Sequence, residues 1–266
     1  MTEIETEFRA RLGTGSGTEF GAGSGTGSGT EFEAEFEAGS GTVTLDRRTG
    51  PYGEVALRRT GATYEIIANG CFLMDTSDGR SERLLVDAAY AALGLPTSPL
   101  PPPAAPSVLI GGLGVGFSLA HAAAQERWGR IAVAEREQAV IDWHRTGPLS
   151  GISGAALADP RVTILHTDLT EHLTSSSDRY DALCLDIDNG PDWTVTEDNR
   201  SLYSASGLAS CRARLNPGGV LAVWSAQPSA AFEEALRNAG FSSVRTEEVP
   251  VARGVPDVIH LGRNPA

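Results

Sequence analysis

Three carboxylates and a glycine run stand at the ends of successive apolar segments. Val108-Leu109-Ile110 runs into Gly111-Gly112-Leu113-Gly114-Val115-Gly116, and Phe117 opens a segment of helical character. Arg130-Ile131-Ala132-Val133-Ala134 ends at Glu135, 19 residues after Gly116. Val162-Thr163-Ile164-Leu165-His166 runs to Asp168, and Asp181-Ala182-Leu183-Cys184-Leu185 runs to Asp186. A strand, a tight glycine turn and a helix form a cradle of nucleotide size, and a carboxylate ending the next strand can accept both hydroxyls of a ribose. Gly112, Gly114 and Gly116 are therefore the candidate cradle and Glu135 the candidate ribose ligand. Asp168 could accept from an exocyclic amino group, or simply cap a helix beginning at Leu169.

The spacing argues against a pyrophosphate. Gly-x-Gly-x-x-Gly would need glycine at position 117 or 119, where the chain has Phe117 and Leu119. A phosphate loop ending in Gly-Lys-Ser/Thr is excluded because the chain contains no lysine. A glycine loop without a phosphate partner, followed by acidic groups, suits an adenosine joined to a charged sulfonium. A sulfonium carbon is attacked in line by a neutral nitrogen, so the site must bring donor and acceptor together and take a proton from an ammonium group. Asp186, with Asp188 beside it, is the candidate for that task; the competing reading is a turn former. Asn189 and Asp192 continue the same loop, while Trp193 and Trp224 could wall an ammonium pocket by cation–π contact or be plain core.

Composition narrows the partners. The formal net charge is -13 and the pI about 4.8, so the chain repels phosphate backbones and attracts small cations; nucleic acid is not an expected partner. No apolar run approaches the roughly 20 residues of a membrane span, and the N-terminus has no basic-then-apolar export pattern, which predicts a cytoplasmic protein. The cysteines Cys71, Cys184 and Cys211 are scattered and fit reduced thiols, and the histidines show no metal-ligand spacing.

Residues 1–42 repeat Gly-Thr-Gly-Ser-Gly-Thr-Glu-Phe at 13–20 and 25–32, a mixture too poor in apolar side chains to offset its ordering entropy, and read as a disordered acidic tail. Residues 43–79 read as a small β unit with a hairpin turn at Asn69-Gly70. Residues 80–106 read as an amphipathic helix, with Leu84, Leu85, Ala88, Ala89 and Ala92 at helical spacing, followed by a proline-rich linker. Residues 107–266 alternate strands and helices and close on an antiparallel pair. The prediction is an α/β fold: a Rossmann-like, seven-stranded, mostly parallel sheet with helices on both faces, preceded by a small β-hairpin unit. Expected helices are Phe117 to Trp128, Gln138 to Arg145, Leu169 to Ser175, Ser201 to Leu215 and Ser229 to Ala239.

The glycine loop with its acidic strand ends resembles the class I S-adenosylmethionine-dependent transferases. Adding the hairpin unit, Asp159-Pro160-Arg161-Val162, Tyr180-Asp181 leading to Asp186, and Leu215-Asn216-Pro217-Gly218-Gly219, residues 43–266 resemble the spermidine synthase family. The resemblance implies that Asp186 helps deprotonate an attacking amine, that the acidic loop behind it holds a polyamine, and that two copies pair through the N-terminal strands. Asp186-Ile187-Asp188-Asn189-Gly190-Pro191-Asp192 stands where the family has Asp-Ser-Ser-Asp-Pro. Gly114 stands where the family's aspartate holds the amine of decarboxylated S-adenosylmethionine, Ser81-Glu82 where it has Tyr-His, and Leu73 where it has glutamine. The lost carboxylate leaves room for a donor carboxylate, so the expected activity is methyl transfer from S-adenosylmethionine to a small cationic amine, with Glu82 an extra acceptor ligand. The alternatives are aminopropyl transfer from the decarboxylated donor and a non-catalytic S-adenosylmethionine-binding protein.

Overall fold

The computed structural model describes residues 35, 36, 41–95, 104–187, 189–192, 194, 197–249 and 256–266. All of them lie in one compact unit, Glu33–Ala266. Most of the tail and of the proline-rich linker, Asp188 and Trp193 lie outside the described residues.

The first sheet is an antiparallel meander of β1 (Glu35–Phe36), β2 (Thr42–Gly50), β3 (Gly53–Thr60), β4 (Thr63–Ala68) and β5 (Cys71–Asp75). The two-residue β1 pairs with β2 through Phe36 and Val43, so a short piece of the segment read as tail has strand structure. The β4–β5 hairpin turns where Asn-Gly predicts it. Asn69 (φ 51°) and Gly70 (φ 77°) are both left-handed, as a type I′ turn demands. Val55, Leu57 and Ile66 of this sheet are buried in the same core as Val108 and Ile110, so the small sheet packs as a layer of the main body.

Helix α1 (Arg80–Ala92) follows. Its buried face is Leu85, Val86, Ala88, Ala89 and Tyr90, whereas Leu84 is exposed. The apolar stripe is thus rotated from the one expected, because Val86 and Tyr90 claim the core. Gly94 (φ 67°) ends the helix in the left-handed conformation.

The second sheet comprises β6 (Ser107–Gly111), β7 (Arg130–Glu135), β8 (Val162–His166), β9 (Tyr180–Leu185), β10 (Leu215–Ser225), β11 (Ser242–Val249) and β12 (Asp257–Arg263), in the order β11-β12-β10-β9-β6-β7-β8. The last two strands, β11 and β12, pair antiparallel to one another, as expected, and β12 alone runs against the other strands of the sheet. Helices α2 (Phe117–Ala123), α3 (Gln138–Arg145), α4 (Ser150–Leu157), α5 (Leu169–Ser175), α6 (Glu197–Arg200), α7 (Ala205–Arg214) and α8 (Ala230–Asn238), with a 3-10 turn at Ser201–Tyr203, complete the described elements. Two buried clusters, one containing Ile110, Cys184 and Ala222 and the other Leu109, Leu183 and Val223, occupy opposite faces of the sheet.

Three differences from the sequence reading have local causes. Helix α2 stops short of Trp128 because the Arg161 guanidinium bonds the carbonyls of Ala123, Gln125 and Trp128, gathering a turn there. The segment before Leu215 is a 3-10 turn and a shorter α7, with Ser204 capping the latter through Gly207 N. Helix α4 was not anticipated, since Gly151 and Gly154 blur its pattern.

Candidate active site

The strand order reverses between β6 and β9, which opens a crevice beyond their carboxyl ends. Gly111 pairs with Leu185 and with Ala134, and Glu135 pairs with His166. The glycine loop, Glu135 and Asp186 are therefore delivered to one edge, as the sequence predicts. The opposite edge is tied by Asp181, which accepts from Ser107 N at 2.7 Å and from Asn216 Nδ2 at 2.9 Å. The Tyr-Asp and Asn-Pro-Gly-Gly motifs are thus bracing, remote from the crevice.

The loop needs glycine for space as well as for dihedral angles. Gly112 (φ 86°) faces the Asp186 carbonyl, and a Cβ there would sit 3.2 Å from that oxygen. Gly116 (φ 94°) lies on the ring of His144, which a Cβ would overlap at 2.8 Å. His144 is fully buried and reaches the Gly114 carbonyl from Nε2 at 2.8 Å and Ser153 Oγ from Nδ1 at 2.6 Å. A carbonyl only accepts, so Nε2 carries the hydrogen; burial lowers the ring's pKa, and the neutral ring accepts the Ser153 hydroxyl at Nδ1.

The loop amides are largely spent inside the protein. Gly112 N donates to Ala134 O, Leu113 N to Glu135 Oε2, Val115 N to Met74 Sδ at 3.2 Å, and Gly116 N to Leu113 O. A phosphate-binding loop must aim such amides at its ligand, so this one does not suit a pyrophosphate. It suits an uncharged adenosine.

Glu135 is 8% exposed, and its other oxygen accepts from Glu137 N at 2.8 Å. Burial raises its pKa, against the lowering effect of the two amide donors. Each oxygen retains a lone pair for a ribose hydroxyl. Asp168 is the N-cap of α5, where it accepts from Glu171 N at 3.1 Å, and it lies 3.9 Å from Arg136.

Around Asp186 the structure assembles a carboxylate cluster that the sequence reading only half identifies. Burial, then the charge of Asp257, pushes the Asp186 carboxyl up to about 7. Burial, then the charge of Asp186, pushes Glu82 up to about 8. Ser118 Oγ donates to the Glu82 carbonyl at 3.3 Å, fixing the start of α1 against α2, and Ser81 Oγ donates to Asp257 Oδ2 at 2.9 Å. Arg83 is the nearby cation, stacked on Phe117 at 4.8 Å and drawing the Glu82 pKa partly down.

Asp257 is the member that sequence reasoning missed. It opens an antiparallel strand, whose first residue lies at the edge where the parallel strands end; Pro256-Asp257 ahead of Val258-Ile259 was the available signal. Trp224, paired with Ile259 and one residue beyond the Val223–Leu185 pair, lies between the strands carrying Asp186 and Asp257. Its indole N–H is buried without a partner among the described residues.

The rest of the anticipated acceptor loop behaves differently. Asn189 is held through its carbonyl, which accepts from Ala226 N at 3.0 Å, and Gly190 packs on Ser225. Asp192 is exposed, and its charge acts on His260 rather than on Glu82 or Asp186, so it stands apart from the cluster.

Switch-point crevice, glycine loop and acidic strand ends together define the Rossmann-like fold of the methyltransferase type. Among solved structures the chain is similar to spermidine synthase from Thermotoga maritima, with a TM-score of 0.64 at 15% identity over 83% of this chain and 72% of that one. A spermidine synthase in complex with the transition-state analogue AdoDATO gives a TM-score of 0.63 at 15% identity over the same shares. By sequence, the chain matches no protein-family model and no curated protein. No helix among the described residues is long and apolar enough to cross a membrane.

Proposed function

We propose that this protein is a transferase that moves an alkyl group from an adenosyl sulfonium donor to a small cationic amine, in the form of aminopropyl transfer from decarboxylated S-adenosylmethionine. The observation that carries this reading is the Glu82–Asp186–Asp257 cluster beside a glycine loop at the switch point. Three carboxyls at one edge attract a diamine and repel a donor carboxylate. Methyl transfer from the intact donor rested on the space at Gly114, and that space is filled, since a Cβ on Gly114 would overlap the Met74 sulfur. The solved spermidine synthases of like fold favour the same choice.

The donor supplies an electrophilic carbon next to positively charged sulfur. The amine lone pair forms the new N–C bond as the C–S bond breaks, and the C–S electron pair stays on sulfur as neutral methylthioadenosine. Glu135 holds the ribose and the glycine loop seats the adenosine. Asp186 orients the attacking nitrogen and takes its proton; a carboxyl lifted to about 7 is a base matched to neutral pH. Glu82 and Asp257 balance the charge of the acceptor, with the Trp224 ring as a wall. Asp188, Asn189, Asp192 and Trp193 would line the outer acceptor path, and the protein would work in the cytoplasm, pairing through its N-terminal strands.

Incubating the full chain with decarboxylated donor and a panel of diamines and polyamines, followed by mass spectrometry, tests this. Methylthioadenosine together with an aminopropylated amine is expected. Methylated amine from the intact donor would replace this reading with methyl transfer. Donor binding without any product would leave a non-catalytic binding protein.

A further inference from the structure

Met74 reaches from the N-terminal sheet onto the glycine loop, and nothing in the proposed chemistry uses it. It is the penultimate residue of strand β5, before Asp75, and is only partly buried, packed against the core that holds α1 and β6. Its sulfur accepts the Val115 N–H at 3.2 Å and fills the volume that a side chain at position 114 would take. The long-range placement is secured independently of this contact. Asp46 of β2 accepts from Trp143 Nε1 at 2.8 Å, and Arg48 Nη1 reaches Asp142 Oδ2 at 2.6 Å, fastening the sheet to α3.

We propose that Met74 is a specificity residue that selects a sulfonium donor lacking a carboxylate; this rests on the transferase reading above. On this proposal the carboxylate of an intact amino-acid arm lying on the loop would pair with the Val115 N–H, which the Met74 thioether occupies. Thioether sulfur is a weak acceptor, so the bond itself is a modest barrier. The side chain behind it adds steric exclusion, and the nearby Glu82–Asp186–Asp257 carboxyls add repulsion. A decarboxylated arm has no acceptor to offer the amide and leaves Met74 in place. Met74 thus serves where an acidic side chain at position 114 cannot fit.

Calorimetric titration of the full chain and of Met74→Leu and Met74→Ala with both donors provides the test. Met74→Leu keeps volume and removes the sulfur acceptor; Met74→Ala removes both. Wild type is expected to favour the decarboxylated donor. The affinity ratio should move toward the intact donor by about tenfold in Met74→Ala, the scale of one recovered charge-assisted hydrogen bond, and by less in Met74→Leu. An unchanged ratio in both variants overturns the role of Met74 alone, whereas a wild-type preference for the intact donor overturns it together with the choice of aminopropyl transfer. Failure of wild type to bind either donor overturns the transferase reading as well. Should Met74→Ala not fold, Met74→Leu carries the test, and a ratio equal to wild type would be decisive against it.

Discussion

The backbone amide of Leu113 donates to Glu135 Oε2 at 2.9 Å, so the carboxylate that would hold a ribose also shapes the loop beneath it. Glu135→Gln offers only one acceptor oxygen to two amides and sets an NH2 against the other N–H. A stability loss of about 1–3 kcal/mol is expected from that mispairing, together with weaker donor binding. Thermal unfolding and donor titration measure the two effects separately; unchanged values in both would show that the pin is dispensable.

The carboxylate cluster should make the protein less stable as pH rises. Unfolded, Glu82 and Asp186 titrate near the ordinary carboxyl values of 4.5 and 3.8; folded, they titrate at about 8 and about 7. Between those limits the folded chain binds more protons than the unfolded one. Their contribution is thus fully present below about pH 4 and lost as pH rises through about 7 and 8. Melting temperatures of wild type and Glu82→Gln across pH 5 to 9 should converge at low pH and separate at high pH, with the variant higher. Parallel curves would contradict the coupling.

His144 should matter to the glycine loop through its bond to the Gly114 carbonyl. His144→Ala leaves the Gly114 carbonyl and the Ser153 hydroxyl unpartnered beside a new cavity, for an expected loss of about 2–4 kcal/mol. Hydrogen exchange at Gly114 and Val115 should quicken more than exchange in β6. A uniform change would mean that the histidine is ordinary core.

Arg161 gathers the carbonyls that follow α2, and its partner Asp159 has its pKa lowered chiefly by that guanidinium. Arg161→Ala should cost about 1–3 kcal/mol through unpaired carbonyls, with turnover of the folded fraction unchanged. A selective loss of turnover would move the Asp-Pro-Arg motif from bracing to function.

Much of this arrangement was readable in the chain because each signal was local. Asn69-Gly70 encodes its turn in two residues, and the apolar runs before Glu135 and Asp186 end in carboxylates that the parallel register brings level. Asp257 and Met74 were not readable in the same way. One enters from a strand of opposite direction and the other from a separate sheet, so their places depend on tertiary packing that no short spacing records. The place of Asp192 depends on packing too, because sequence adjacency to Asp186 does not say which face a loop turns toward. Helix α4 was lost because its two glycines weaken a pattern that burial of Ser153 and Ala156 restores.

Asp186, held within the Glu82–Asp257 cluster, is proposed to activate the amine. Single-turnover transfer from decarboxylated donor to a diamine, comparing wild type with Asp186→Asn at saturating donor, tests it most directly. A fall in rate of about 10²–10⁴-fold with donor affinity retained is expected for loss of a general base. A near-native rate in Asp186→Asn would contradict the claim.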